Sequence, residues 1–187
     1  MVRITPIRLG WDPEPGDDFY PDDLPEDWRL AYFSNEFPAV LVPFPRWRDA
    51  DRARLAQWAM DVPPDFRFYL EAESGRPDAR DWARLSETLG ARLGGLVAGS
   101  GEAAASLWSD FCYARLASDQ AGPPPGWERS VWEAPGRLYV DLRAARVWLD
   151  EIAARVGDGD VLILMGSVEH ETLRRWWMMT RMMGVAP

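Results

Sequence analysis

Lysine is missing from this 187-residue chain: all 21 basic residues are arginine. Every mechanism that needs a lysine amine, as Schiff base or nucleophile, is thereby excluded. Cysteine occurs once, at Cys112, so no internal disulfide can form and a reducing cytoplasm is the simplest expectation. Histidine also occurs once, at His170. One His and one Cys cannot supply the three or four ligands of a zinc site. Thirty scattered acids leave an all-carboxylate Mg²⁺ site open without singling one out, and the expectation is no metal and no cofactor. Cys112, within Ser109-Asp110-Phe111-Cys112-Tyr113-Ala114, reads as a small buried hydrophobe on an apolar-periodic helix. His170, between Glu169 and Glu171, reads as a solvent-facing residue in the first turn of the last helix. No apolar run reaches the length of a membrane span, and the first residues lack a basic-apolar-cleavage pattern, so no membrane segment is expected.

What is present is acid and aromatic. Thirty Asp and Glu give a net charge of −9, which opposes binding to duplex nucleic acid. A hydrophobic content of 47% with 27% charged residues belongs to a globular chain with one substantial core, so residues 1–187 are expected to form a single domain. Eleven tryptophans could offer platforms for sugars or bases, but most recur at helical spacing and read as core.

Strand and helix periods alternate along the chain. Arg3 to Leu9 alternates as a strand and closes at Gly10-Trp11-Asp12-Pro13. A helix is expected from about Asp23 or Leu24, with Pro25 early and an apolar stripe of Trp28, Tyr32, Phe33 and Phe37. Ala39 to Phe44 reads as a strand, and Asp49 as the cap of a helix ended by Pro63-Pro64. Asp65 to Ala72 is the clearest strand, with Phe66, Phe68 and Leu70 on one face and Arg67, Tyr69 and Glu71 on the other. A helix through Trp82 and Leu89, a strand at Gly95–Ala98 and a helix over Glu102–Ser118 follow. Val131–Ala134 and Leu138–Leu142 read as two short strands, then comes a helix around Trp148, a strand at Val161–Met165 and a helix from about Val168. This order predicts an α/β parallel sheet, either open or closed into a barrel. Gly99-Ser100-Gly101-Glu102-Ala103-Ala104 has a G-x-G-x-x-A spacing. Glu102 would set a negative charge where a pyrophosphate must sit, so a capped turn is the better reading and no NAD(P) is expected.

Between open sheet and barrel, a family resemblance decides. Phe19-Tyr20-Pro21, the aromatic segment to Phe37, and Pro63-Pro64-Asp65-Phe66-Arg67-Phe68 follow one another as in the first three units of the YecE-like family. Leu89-Gly90-Ala91-Arg92-Leu93-Gly94-Gly95-Leu96 resembles that family's helix entering strand four, and Ser130 to Gly136 resembles a strand ending in Trp-Glu-Pro-Arg-Gly. The resemblance implies a (β/α) TIM-like barrel, here contracted or incomplete, and a family without an assigned biochemistry. The chain departs from the family where it carries Leu41 and Pro43 instead of a Glu and an Asn, and Glu71 instead of a Lys. Charge reversal at a barrel mouth would repel whatever anion the parent site held.

In such a barrel the C-terminal strand ends form the site. The candidates are then Glu71, Glu133 and Asp141 as catalytic carboxylates. Trp11, Asp12, Arg67 and Trp132 are the residues expected to touch substrate. Two readings follow: a non-catalytic or repurposed barrel that acts as a binding or interaction protein, or a hydrolase acting on a sugar or phosphate-containing small molecule. The last helix adds a partner expectation. Leu173, Trp176, Met179, Thr180 and Met183 form its core stripe, while Met178 and Met182 lie opposite, among Arg174, Arg175 and Arg181, as a contact surface for a homodimer or another protein.

Overall fold

A computed structural model describes residues 2–72, 79–99, 112–122, 127 and 129–187. The strands are β1 (Val2–Ile7), β2 (Ala39–Val42), β3 (Arg67–Glu71), β4 (Leu93–Gly99), β5 (Cys112–Leu116), β6 (Ser130–Glu133) and β7 (Gly159–Leu164). The helices are α1 (Arg29–Glu36), α2 (Phe44–Arg48), α3 (Arg52–Asp61), α4 (Ala79–Leu89), α5 (Leu142–Val156) and α6 (His170–Met182). Every strand pairs in parallel, in the order β1-β7-β6-β5-β4-β3-β2. The two edges meet just beyond β1: the Leu41 amide donates to the Arg8 carbonyl at 3.0 Å, and the Gly10 amide donates to the Leu41 carbonyl at 2.8 Å. The sheet is therefore a nearly closed barrel of seven described strands, one fewer than the eight of a standard TIM barrel.

Alternation along each strand sorts side chains into two layers. Ile4, Val40, Phe68, Leu70, Leu96, Trp132 and Ile163 point outward and pack with the helices, including Phe33, Leu55, Trp58, Leu149 and Trp176. Fully burying each of these side chains stabilises the fold by about 1.5–3 kcal/mol. Ile7, Leu41, Val97, Tyr113, Val131, Leu162 and Leu164 point inward with Tyr69 beside them. Of the β3 face that carries Arg67, Tyr69 and Glu71, only Tyr69 lies in the middle of the barrel, among apolar side chains, while Arg67 and Glu71 stand at the two ends of the strand.

Four element expectations are revised. Cys112–Leu116 is a strand, not the end of a helix, because Tyr113 faces the barrel axis while Ala114 and Leu116 pack outward. Cys112 is accordingly half-buried at the start of β5. Leu138–Leu142 is not a strand: Gly136–Tyr139 is a 3₁₀ turn, held by the Tyr139 hydroxyl, whose one proton is within reach of the carbonyls of Met165 (2.7 Å) and Ala134 (3.1 Å). The α3 cap is Asp51, whose carboxylate accepts from the Arg54 amide at 2.7 Å, and Asp49 instead closes α2. In the first helix Phe33 and Phe37 are buried with Leu30, whereas Trp28 is 65% exposed and lies outside the stripe. Among the described residues no helix is long and apolar enough to cross a membrane.

Candidate functional site

Three strands deliver charge to the C-terminal mouth. Each inward-facing strand carries its last polar residue one alternation above the apolar middle layer: Glu71 above Tyr69, Arg115 above Tyr113, and Glu133 above Val131. Arg115 lies between the two acids. Its Nη1 donates to Glu71 Oε1 at 3.1 Å, and its Nε donates to Glu133 Oε1. Glu71 is held further by the Phe44 amide, which donates to Oε2 at 3.3 Å, while the Trp47 indole donates to the Glu71 carbonyl at 2.8 Å. This Glu–Arg–Glu bridge is half-buried and carries one net negative charge.

Beside it, Arg46 pairs with Asp12 at 2.5 Å and lies over the Trp11 ring at 4.3 Å from its centroid. Trp11 is itself buried edge-on against Trp58. Trp11 and Trp58 also line a groove of about 500 Å³ between α1 and α3, with Glu26, Trp28, Arg54 and Asp61 around it.

The remaining expected site residues fall elsewhere. Asp141 caps α5, accepting from the amides of Arg143 (3.1 Å) and Ala144 (3.0 Å), and does not join Glu71 and Glu133 at Arg115. Arg67 opens β3 at the opposite end of the barrel, roughly 13 Å along the strand from Glu71. Its guanidinium donates to the carbonyls of Pro64 and Phe66. Trp132 points outward, is fully buried, and donates its indole N–H to Ser130 Oγ at 3.1 Å, so it is core and not a platform. Arg115 was hidden from sequence reasoning because its segment reads as helix. Placed on a strand, its two-residue offset from Tyr113 is the signal that would have found it. The glycine-rich motif lies outside the described residues beyond Gly99.

A second polar cluster was not foreseen. His170 is fully buried, correcting the expectation of a solvent-facing residue. Its ring stacks on Phe19 at 4.2 Å between centroids. Arg8 Nη1 approaches His170 Nε2 at 2.6 Å, and Asp17 Oδ2 approaches Nδ1 at 2.5 Å. A guanidinium only donates and a carboxylate only accepts, so the imidazole is neutral, with its proton on Nδ1. Burial, and then the positive charge of Arg8, push its pKa down to about 4 against the pull of Asp17. Arg8 also pairs with Glu14 at 3.0 Å, and the Tyr20 hydroxyl donates to the Trp11 carbonyl. The Asp–His pair resembles the orienting half of a hydrolytic triad, yet Nε2 faces an arginine where a nucleophile would sit. Its geometry ties the 11–20 loop to α6.

Comparison with known proteins agrees with this fold. The chain is 11% identical to a DUF72 family protein from Thermotoga maritima, with a TM-score of 0.62 over 96% of this chain and 99% of that one. A DUF72 family protein from Enterococcus faecalis is 8% identical, with a TM-score of 0.56 over 98% and 96%. No curated protein matches the chain by sequence. Residues 9–114 match the family described as protein of unknown function DUF72, a span that holds the Phe19–Phe68 and Leu89–Leu96 segments of the YecE-like resemblance but not Ser130–Gly136, and the chain belongs to that family.

Proposed function

We propose that this chain is a single-domain, cytoplasmic barrel that binds and does not hydrolyse: a repurposed member of its family acting as an interaction protein. The observation that carries this reading is the position of Arg115. A general acid and a general base need different protonation behaviour and open access to substrate. Glu71 and Glu133 instead share one guanidinium, and the third expected carboxylate, Asp141, caps a helix. The exposure of Met178 and Met182 on α6 supports the reading of a contact face there.

The hydrolase reading keeps one favourable observation, which is that Glu71 and Glu133 do arrive at one mouth from β3 and β6. A panel of aryl glycosides and aryl phosphate mono- and diesters separates the two. Turnover by the unmodified protein should not exceed that of Glu71→Gln/Glu133→Gln. Turnover that falls by a factor of about a hundred or more in Glu133→Gln would establish the hydrolase.

A further inference from the structure

A groove of about 390 Å³ runs between α5 and α6. Its apolar floor is made by Leu142, Met178, Met179, Met182 and Met183, and its rim by Arg143, Arg146 and Arg175. Met178 is 55% and Met182 is 86% exposed, one helical turn apart. Thioether side chains are unbranched and reshape easily around an inserted side chain, which suits a surface that receives a helix. Of the rim, Arg146 reaches Asp150 only at 4.0 Å and Arg175 shares Glu171 with Arg174. The Arg143 side chain has no hydrogen-bond or ion-pair partner among the described residues. The groove is therefore locally basic on a chain whose net charge is −9.

We infer that this groove docks an acidic amphipathic helix of a partner protein, with apolar anchors at i, i+4 and i+7 on the methionine floor and carboxylates against the arginine rim. The inference rests on the interaction reading above and names its partner chemistry. Charge decides among occupants. A two-fold related second copy would set Arg143, Arg146 and Arg175 against their own counterparts. A phosphate backbone would gain nothing from five apolar side chains at the floor. An acidic helix meets attraction here and repulsion from the rest of the acidic molecule, which fixes where it lands.

The test uses the full chain and two synthetic helical peptides with identical leucine anchors, one flanked by Glu and one by Lys. Fluorescence anisotropy should show saturable binding of the acidic peptide alone. That binding should weaken by about tenfold or more in Met178→Glu/Met182→Glu, and by about fivefold in Arg143→Gln/Arg175→Gln, with unchanged circular dichroism in both variants. Three results overturn the inference: no binding of the acidic peptide at about 1 mM, equal binding of both peptides, or indifference to both variants. Light scattering that shows a dimer dissociated by Met178→Glu/Met182→Glu would assign the groove to a second copy. Sedimentation with anionic phospholipid vesicles, abolished by the same pair, would assign it to a lipid surface. Either leaves the interaction reading standing and removes the acidic helix; hydrolytic turnover in the substrate panel removes the interaction reading instead.

Discussion

Between Arg8 and Asp17, the His170 ring has no alternative tautomer: reversing it would point an N–H at a guanidinium and a lone pair at a carboxylate. This arrangement has a measurable consequence in acid. The folded pKa lies near 4 and the ordinary value is 6.5, so between these limits the unfolded chain takes up a proton that the folded chain refuses. Stability is present in full above pH 6.5 and is lost as pH falls through that window. Burial pushes the Asp17 carboxyl up, but its hydrogen bonds to His170 outweigh that and leave its pKa lowered, which adds a further loss at lower pH. The melting temperature should therefore drop between pH 6.5 and pH 4, and the drop should be smaller in His170→Gln. An equal drop in both proteins would show that His170 titrates freely. None of this was legible in the sequence, because Asp17 and Arg8 lie 153 and 162 residues away from His170. Glu71 and Glu133 were legible as residues at strand ends, since strand alternation is a local signal. Their common partner was not, because pairing across the barrel depends on which strands become neighbours.

Helices α3, α5 and α6 followed from their apolar spacing and β3 from strict alternation, whereas α1 keeps only Phe33 and Phe37 of its expected stripe, with Trp28 and Tyr32 exposed. The failures have one cause: short segments whose local preference is overridden by their neighbours. Leu138-Tyr139-Val140 is strand-like in composition but becomes a turn because the Tyr139 hydroxyl lies within reach of two carbonyls. Cys112-Tyr113-Ala114-Arg115-Leu116 reads as the end of a helix but becomes β5 because it pairs with β4 on one side and β6 on the other. The β3–β4 contact shows how narrow such fits are. The register shifts at Phe68/Tyr69, and a Cβ added to Gly94 would lie 2.7 Å from the Tyr69 ring. Tyr69 is fixed in turn by edge-on contact with Tyr113 at 5.3 Å. Gly94→Ala should therefore cost about 1–3 kcal/mol by chemical denaturation, as overpacking does in a filled core. A neutral substitution would mean that the Tyr69 ring can move aside.

At the scale of the whole molecule, the seven described strands close through a bridge between Leu9 and Leu41, and the buried Arg8 cluster lies against that seam. The barrel is held shut by side chains as well as by its ladder. Its mouth ends in the Glu71–Arg115–Glu133 bridge, and the functional conclusion depends on whether that bridge is structural. Catalytic carboxylates are often held at a cost to stability, so neutralising one tends to stabilise an enzyme. A structural ion pair behaves in the opposite way. The decisive measurement is a double-mutant cycle in denaturant on Arg115→Met and Glu133→Gln. With both side chains more than a third exposed, the coupling should be about 0.5–1 kcal/mol, and Glu133→Gln alone should destabilise the fold. Zero coupling, with Glu133→Gln more stable than the unmodified protein, would show a carboxylate kept for chemistry and would contradict the binding assignment.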